Sequence, residues 1–414
     1  MAALQPVRGT RDILPDEARQ FRHIVDTGRA VCARYGFEEV ATPIFEFSEV
    51  FRRTLGDTSD IVTKEMYSFT DKGGDDVTLR PEGTAGVARM LISGGLSQNL
   101  PLKLFYNGPM FRYERPQKGR FRQFHQIGVE LLGVPEPAGD VEAIAMGAAV
   151  LDALGVAGNV TLELNTLGNA ASRAAYRDVL VAYFTVHADA LSEDSRARLA
   201  RNPLRILDSK EEGDRRIVEG APDFADSLDA ESSEFFAAVR DGLDAVGIAY
   251  VLNSRLVRGL DYYCHTAFEF TTDALGAQGT VLAGGRYDGL VEQMGGPHTP
   301  GIGWAAGIER LALLAGEAPD APRPIAVVPV GGDVERDALT LAETLRRAGF
   351  MVELGYRGNL SRRLKRANRL RARAALILGP EEVARGAVTL RDLDSGDQEE
   401  VALTALTERL SPYR

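Results

Sequence analysis

Cysteine is nearly missing from this 414-residue chain: Cys32 and Cys264 are the only two. That count excludes a disulfide framework and any Cys-rich zinc site. Lysine is almost as scarce, six residues against 42 arginines. None of the six stands in a G-x-x-x-x-G-K-[ST] setting, so a Walker nucleotide fold is excluded. The five histidines (His23, His125, His187, His265 and His298) form no H-x-x-x-H or H-E-x-x-H pair, which removes the zinc-protease arrangement. No G-x-S-x-G elbow is present, so the hydrolase nucleophile turn is absent too. No stretch approaches the ~18 apolar residues of a membrane span. The opening Met1–Pro6 carries neither a basic segment nor a long apolar run and does not read as a signal peptide. The expectation is a soluble, cytoplasmic protein with no membrane partner.

What is present is globular. Apolar residues make up 44% and charged residues 26%, so the chain has the means to bury a core. Its length suggests two or three domains. The clearest boundary candidate is Gly316–Pro324, with three prolines in nine residues, because proline stiffens a connector and stops helices on either side. Beyond it, strand-like Ile325–Val330, helical Val334–Ala348, strand-like Met351–Leu354, helical Leu360–Arg373 and strand-like Ala374–Leu378 alternate. That order predicts a small α/β domain over residues 325–414 with a mainly parallel sheet. Upstream, helical Glu17–Arg34 precedes strand-like Glu38–Thr42. Strands are expected at Val77–Leu79, Leu102–Tyr113, Gln123–Leu132, Thr161–Asn165, Ala267–Thr271 and Thr280–Ala283. A charged helical stretch, about residues 170–246, interrupts them. Residues 1–320 therefore read as an α+β domain on an antiparallel sheet with a helical insertion.

Chemistry concentrates in four places. In Gln123–Leu132 the period-2 alternation puts Phe124, Gln126, Gly128 and Glu130 on one face and His125, Ile127, Val129 and Leu131 on the other. The first face, an aromatic, an amide, a gap and a carboxylate, packs poorly and suits the floor of a small-molecule site, against a solvated sheet face as the plainer reading. On the preceding strand Arg112 and Glu114 share a face, and a basic loop, Arg115–Arg122, joins the two strands. In Leu256–Tyr263, Arg258 beside Gly259 offers a forked cation for a carboxylate or phosphate; a structural pair with Asp261 is the alternative. Ala283–Leu290 and Gly301–Leu311 are glycine-rich, and the second leads into a helix bearing Arg310, an arrangement compatible with phosphate.

On these residues the chain resembles the class II aminoacyl-tRNA synthetases, and within them the histidyl-tRNA synthetase family, over essentially its full length. Three degenerate class motifs resemble Glu17–Pro43, Phe111–Glu130 and Gly301–Leu311. Two more specific signatures are intact, Arg258-Gly-Leu-Asp-Tyr-Tyr263 and Gly284-Gly-Arg-Tyr-Asp288. Arg8–Asp12, Thr78–Thr84 and Asn202–Lys210 match as well. The resemblance implies a class II catalytic domain followed by an anticodon-binding domain. It implies ATP-dependent activation of histidine and transfer to tRNA(His) by a homodimer, with Glu17–Pro43 at the dimer interface. Mg²⁺ is expected with ATP, its ligands unassigned.

By the same resemblance, Arg112 binds the α-phosphate and Arg310 lies towards the γ-phosphate and adenine. Phe124 stacks on adenine, with Glu114 at its edge. Glu82, Thr84 and Gln126 hold the α-amino group of histidine, with Gly83 and Tyr262 alongside. Glu130 and Tyr263 read the imidazole, Tyr287 closes the pocket, and Arg258 bridges the histidine carboxylate and the α-phosphate. Arg258, Arg112 and Gln126 are the implied catalytic set. Arg115, Gln117 and Lys118 would meet the acceptor end of tRNA.

A net charge of −11 looks unsuited to RNA, but charge averages over domains. From Arg323 to Arg414 there are 16 basic and 13 acidic side chains, a balance of +3, which leaves −14 on residues 1–322. Arg357–Arg373 holds eight basic residues and no acidic one. Leu360, Leu364 and Ala367 keep helical spacing, which predicts Arg362, Arg363, Lys365, Arg366, Arg369 and Arg373 on the exposed surface as a tRNA-binding face. A solubilising helix face is the plainer reading. Two rivals share the fold: the inactive regulatory subunit of ATP phosphoribosyltransferase, and a synthetase-like sensor of uncharged tRNA.

Overall fold

The computed structural model describes residues 3–413 apart from positions 57, 58, 60, 118, 208, 210, 258–261 and 318. The chain divides into two compact units, Met1–Pro319 and Asp320–Arg414.

The first unit is built on an eight-stranded sheet. Its order is Glu38–Glu39, Leu102–Phe111, Gln123–Leu132, Gly301–Gly307, Thr280–Arg286, Cys264–Thr271, Thr161–Thr166 and Val251–Leu252. Every pairing is antiparallel except the two edge pairs, which are parallel. The expected strand over Glu38–Thr42 shrinks to two residues: the Val40 N–H still bonds the Phe105 carbonyl, and the pairing goes no further towards Pro43. Arg112 and Glu114, read as strand residues, lie beyond the strand end at Phe111.

One face of this sheet carries the larger core. Helices Pro15–Arg34 and Pro137–Ala153 cover it, burying Ile24, Val31, Ile127, Val129, Ile144, Val150 and Trp304. The alternation in Gln123–Leu132 explains the choice of face: its apolar set points into this core, and its polar set faces the opposite side. There, helices Thr84–Ser93 and Ser48–Leu55 enclose a second core around Phe51, Leu55, Leu91, Leu104, Tyr106 and Met110, and a small separate sheet pairs Phe45–Phe47, Asp76–Leu79 and Tyr67–Thr70. The residues after Ala170 form helices Ala170–Val186, Glu193–Arg201, Glu212–Glu219 and Ala230–Ala245. Three of these close a third core on Tyr176, Leu180, Phe184 and Phe224. Within it Asp214 is buried; desolvation pushes its carboxyl up, but hydroxyls of Ser195, Ser209 and Ser192 and the Ser192 N–H hold it down at about 2.

The second unit carries a five-stranded sheet ordered Val352–Leu354, Ile325–Pro329, Ala374–Leu378, Ala387–Asp392 and Gln398–Ala402. Only the first three strands are parallel; the last two run antiparallel. The expectation of a mainly parallel sheet is thus half right. A C-terminal hairpin, turning at Asp394-Ser395-Gly396, extends the sheet in the other sense. Helix Leu360–Arg369 is shorter than expected, since Arg371 adopts a left-handed φ of 54° and turns the chain into the next strand. It also presents a different set of cations. Arg363, expected on the exposed surface, is buried: its guanidinium donates to the Pro329 carbonyl at a strand end. Arg362, Lys365 and Arg369 are exposed, and Arg366 pairs with Glu353 at 2.6 Å.

Candidate active site

The sheet face opposite the larger core is the floor of a cavity of about 350 Å³. Phe124 and Gln126 line it from strand Gln123–Leu132, and Glu130 lies further along the same face, so a span of roughly 20 Å separates the aromatic from the carboxyl. Two ends with different chemistry result.

At one end sit three arginines. Arg112, Arg120 and Arg310 all line the cavity. Arg112 donates from Nε to the Pro81 carbonyl at 2.9 Å, and its guanidinium lies 5.4 Å from the Phe124 ring centroid. Arg120 pairs with Glu114 at 2.5 Å. Arg310 donates to the Thr280 carbonyl at 2.6 Å. Burial, then the neighbouring Arg120, lowers its pKa, although the guanidinium stays charged. Its helix is placed by Glu309, whose carboxylate accepts the His125 N–H at 3.0 Å and lies 2.9 Å from His125 Nδ1. Three cations held this close repel one another, and a polyanion relieves that cost. Glu114 and Glu269 bring carboxylates to the same wall, and Thr280 donates to Glu269 at 2.7 Å.

At the other end is a carboxyl surrounded by hydroxyls. Glu130 is 1% exposed. It accepts from Thr84 Oγ1 at 2.7 Å and Tyr106 OH at 3.2 Å, and Tyr287 OH donates to its other oxygen. Burial pushes the carboxyl up to about 8, with these hydroxyls pulling it back. Close packing makes this arrangement possible. A Cβ on Gly128 would lie 2.3 Å from the Tyr106 ring, and one on Gly303 would lie 2.0 Å from Glu130 Oε2. Only glycine fits at both positions. Glu82 caps helix Thr84–Ser93 by accepting the Thr84 and Ala85 N–H groups at 2.6 and 2.9 Å. Burial raises its pKa against those bonds.

Between the two ends, Gln126 Oε1 is buried and has no hydrogen-bond partner among the described residues. A buried acceptor left unmatched is costly, and Gln126 is one of the residues lining the cavity.

The structure therefore brings Glu82, Gly83, Thr84, Arg112, Glu114, Phe124, Gln126, Tyr262, Tyr263 and Arg310 onto one cavity. Glu130 and Tyr287 sit behind its lining, reached through Thr84 and Tyr106. Arg258 and Lys118 lie outside the described residues. Arg115 and Gln117 do not line the cavity, though Gln117 closes the loop by bridging to Arg120. Sequence reasoning missed Tyr106, and it left Arg120 undistinguished within its loop and Glu269 unremarked. A carboxylate flanked by Phe268 and Phe270 on a core strand was the available signal for Glu269.

The Gly284–Asp288 signature has a structural job. Arg286 is fully buried and forks onto Asp140, donates to the Val134 carbonyl at 3.0 Å, and meets Asp288 at 3.0 Å. It locks the sheet to the start of helix Pro137–Ala153.

Residues 9–311 match the family model described as histidyl-tRNA synthetase, and residues 324–412 match an anticodon-binding domain model. A histidine–tRNA ligase of Rhodospirillum rubrum is 63% identical over 414 residues, covering all of both chains. Another from Gluconacetobacter diazotrophicus is 58% identical over 99% of each. Among solved structures, apo histidyl-tRNA synthetase of S. aureus superposes with a TM-score of 0.82 at 35% identity, over 98% of this chain and 99% of that one.

Proposed function

From the premise that this chain belongs to the histidyl-tRNA synthetase family, and is a histidine–tRNA ligase rather than a regulatory subunit, we propose how its residues divide the work. ATP enters at the arginine end. Its triphosphate lies against Arg112, Arg120 and Arg310, and its adenine stacks on Phe124 with Glu114 at the edge. Histidine enters at the hydroxyl-lined end. Its α-amino group donates to Gln126 Oε1, Glu82 and Thr84 hold the same group, and its imidazole is read by Glu130 and Tyr263. Gly83 and Tyr262 shape the wall, and Tyr287 steadies Glu130. The unpartnered, buried Gln126 oxygen between a cationic and a carboxyl end carries this reading.

The reaction joins two anions. A carboxylate oxygen of histidine attacks the α-phosphorus, and pyrophosphate leaves carrying the bonding pair. Fixed cations offset the repulsion, so catalysis is positioning plus electrostatic stabilisation without a covalent enzyme intermediate. Arg112 supplies this charge, and Arg258 joins it by family analogy. Magnesium arrives with ATP as part of the substrate. Such sites hold it by one or two carboxylates plus phosphate oxygens, and Glu269 offers a carboxylate on the cavity wall.

Residues 1–320 act as the catalytic domain, with an insertion at about 170–246, and 325–414 read the anticodon. The break between compact units and the extents of the two family matches support this division. In this reading Arg115, Gln117 and Lys118 meet the acceptor end of tRNA. Arg362, Lys365, Arg366 and Arg369 meet the anticodon arm, with Arg363 holding their helix. The chain works as a homodimer in the cytoplasm. Its interface is expected at Glu17–Pro43, and exposed Ile44, directly after that segment, with Phe45, Phe47 and Phe69 on the adjoining small sheet supports an apolar contact there. Histidine-dependent exchange of pyrophosphate into ATP tests the enzymatic assignment: absence of exchange from folded protein would overturn it. A monomeric mass in sedimentation would overturn the dimer.

A further inference from the structure

A second cavity, of about 320 Å³, lies where the helical insertion meets Leu167, Val257 and Tyr263. Its floor is apolar: Leu167, Leu204, Phe224 and Val257. Four arginines gather around it. Arg173 and Arg177 are one turn apart on the same face of helix Ala170–Val186. Arg201 ends helix Glu193–Arg201, and Arg205 follows in the next turn. No carboxylate is among the described residues lining it. Arg173 donates to the Tyr263 carbonyl. Arg177 and Arg201 are exposed, and they make no ion pair or hydrogen bond among the described residues.

Two physical points follow. Like charges converging on one concavity raise its potential and concentrate small anions there. An apolar floor under that cationic rim suits a ligand with a flat or greasy body and a phosphate at its edge, and the volume is at the lower end for small-molecule sites. The cavity also shares a wall with the catalytic pocket, since Tyr263 lines both. An occupant that shifts Tyr263 or Arg173 changes the imidazole end of the active site.

We propose that this cavity is a second ligand site, taking a free mononucleotide with its base on Leu204 and Val257 and its phosphate on Arg177 and Arg201. Through Tyr263 its occupancy modulates histidine binding. The site is separate from the ATP site, and its effect on histidine rests on the imidazole-binding role proposed for Tyr263.

The probe is cytidine monophosphate, measured by equilibrium dialysis. The catalytic pocket is filled with a non-reactive sulfamoyl mimic of histidyl-adenylate, whose own binding is checked separately. The expected result is one nucleotide per chain. Arg177→Glu with Arg201→Glu should weaken it at least about tenfold, as expected for lost charge-assisted phosphate contacts. Both side chains are exposed, so the fold should persist; the milder Arg177→Ala, Arg201→Ala pair covers a folding failure. In pyrophosphate exchange without the mimic, the nucleotide should change KM for histidine in the wild type and not in the double variant. Without the nucleotide, both should exchange equally. Three results would overturn the proposal. One is no binding with the mimic in place up to about 10 mM, below which an affinity near 3 kcal/mol would show. Another is binding indifferent to charge reversal. The third is loss of tRNA affinity in the variant with no nucleotide bound by the wild type, which would give the arginines to an RNA backbone. Failure of the mimic itself to bind would instead count against the catalytic-site assignment.

Discussion

Glu130→Gln separates the cost of a buried carboxyl from its usefulness. The Glu130 carboxyl ordinarily ionises near 4.5, and burial in the folded protein pushes it to about 8. Between those values the unfolded chain has released a proton that the native state keeps. Stability from this group therefore falls as pH rises, by about 1.4 kcal/mol per unit, and levels off above the folded value. From pH 5 to pH 8 the wild type should lose about 4 kcal/mol through this residue alone. Glutamine cannot titrate. Its carbonyl can accept from Thr84 and Tyr106, and its amide can face the Tyr287 oxygen, so the contacts survive. The stability difference should swing towards the variant by about 4 kcal/mol between pH 5 and pH 8 and stay flat from pH 9 to 10. The chain's single tryptophan makes the assay specific. Trp304 is 2% exposed in the main core and donates to the Ala143 carbonyl, so urea titrations followed by its fluorescence report this unit. A pH-independent difference over that range would mean that Glu130 ionises normally, and the reasoning would be wrong.

Gly303→Ala should sharply raise KM for histidine and destabilise the unit by about 1–3 kcal/mol, because the new Cβ meets Glu130 Oε2 and the Val129 carbonyl; unchanged urea midpoint and KM would count against the close packing. Asp140→Ala leaves Arg286 buried without its main counter-charge and should cost roughly 3–5 kcal/mol, measured by the same fluorescence titration; a loss under about 1 kcal/mol would refute the clamp. Arg258→Ala and Arg310→Ala should each suppress pyrophosphate exchange by at least about 100-fold while tRNA filter binding stays near wild type; comparable loss of RNA affinity would contradict their roles. Reversing Arg362, Lys365 and Arg369 together should weaken tRNA binding and flatten its salt dependence with exchange intact; equal loss of exchange would mark the helix as structural.

Much of the site was legible because strand Gln123–Leu132 alternates cleanly. Ile127 and Val129 could only face a core, which left Gln126 and Glu130 to face something else. Tyr106 was hidden for the opposite reason. On a strand of mostly apolar residues nothing distinguishes an aromatic that packs from one that also offers its hydroxyl to a carboxylate. Arg363 shows where a charge rule gave way to spacing. It falls between Leu360 and Ala367 on the buried stripe, and its long aliphatic stem lets it stay there while the guanidinium reaches a carbonyl. The antiparallel hairpin of the second unit was signalled by Asp394-Ser395-Gly396, a turn sequence. The strand–helix alternation before it pointed to a parallel sheet and obscured that signal.

Arg286 has a consequence for how such proteins are told apart. It stands in the middle of a five-residue signature that identifies the family, yet it touches no substrate pocket and clamps a helix instead. Its neighbour Tyr287 serves the carboxyl in the active site, and Gly284 lets two strands approach. A descendant freed from catalysis would still need the clamp and the close strands to stay folded. The motif is thus a record of ancestry that outlives the activity, and the presence of its arginine says that a chain folds this way without saying that it still works.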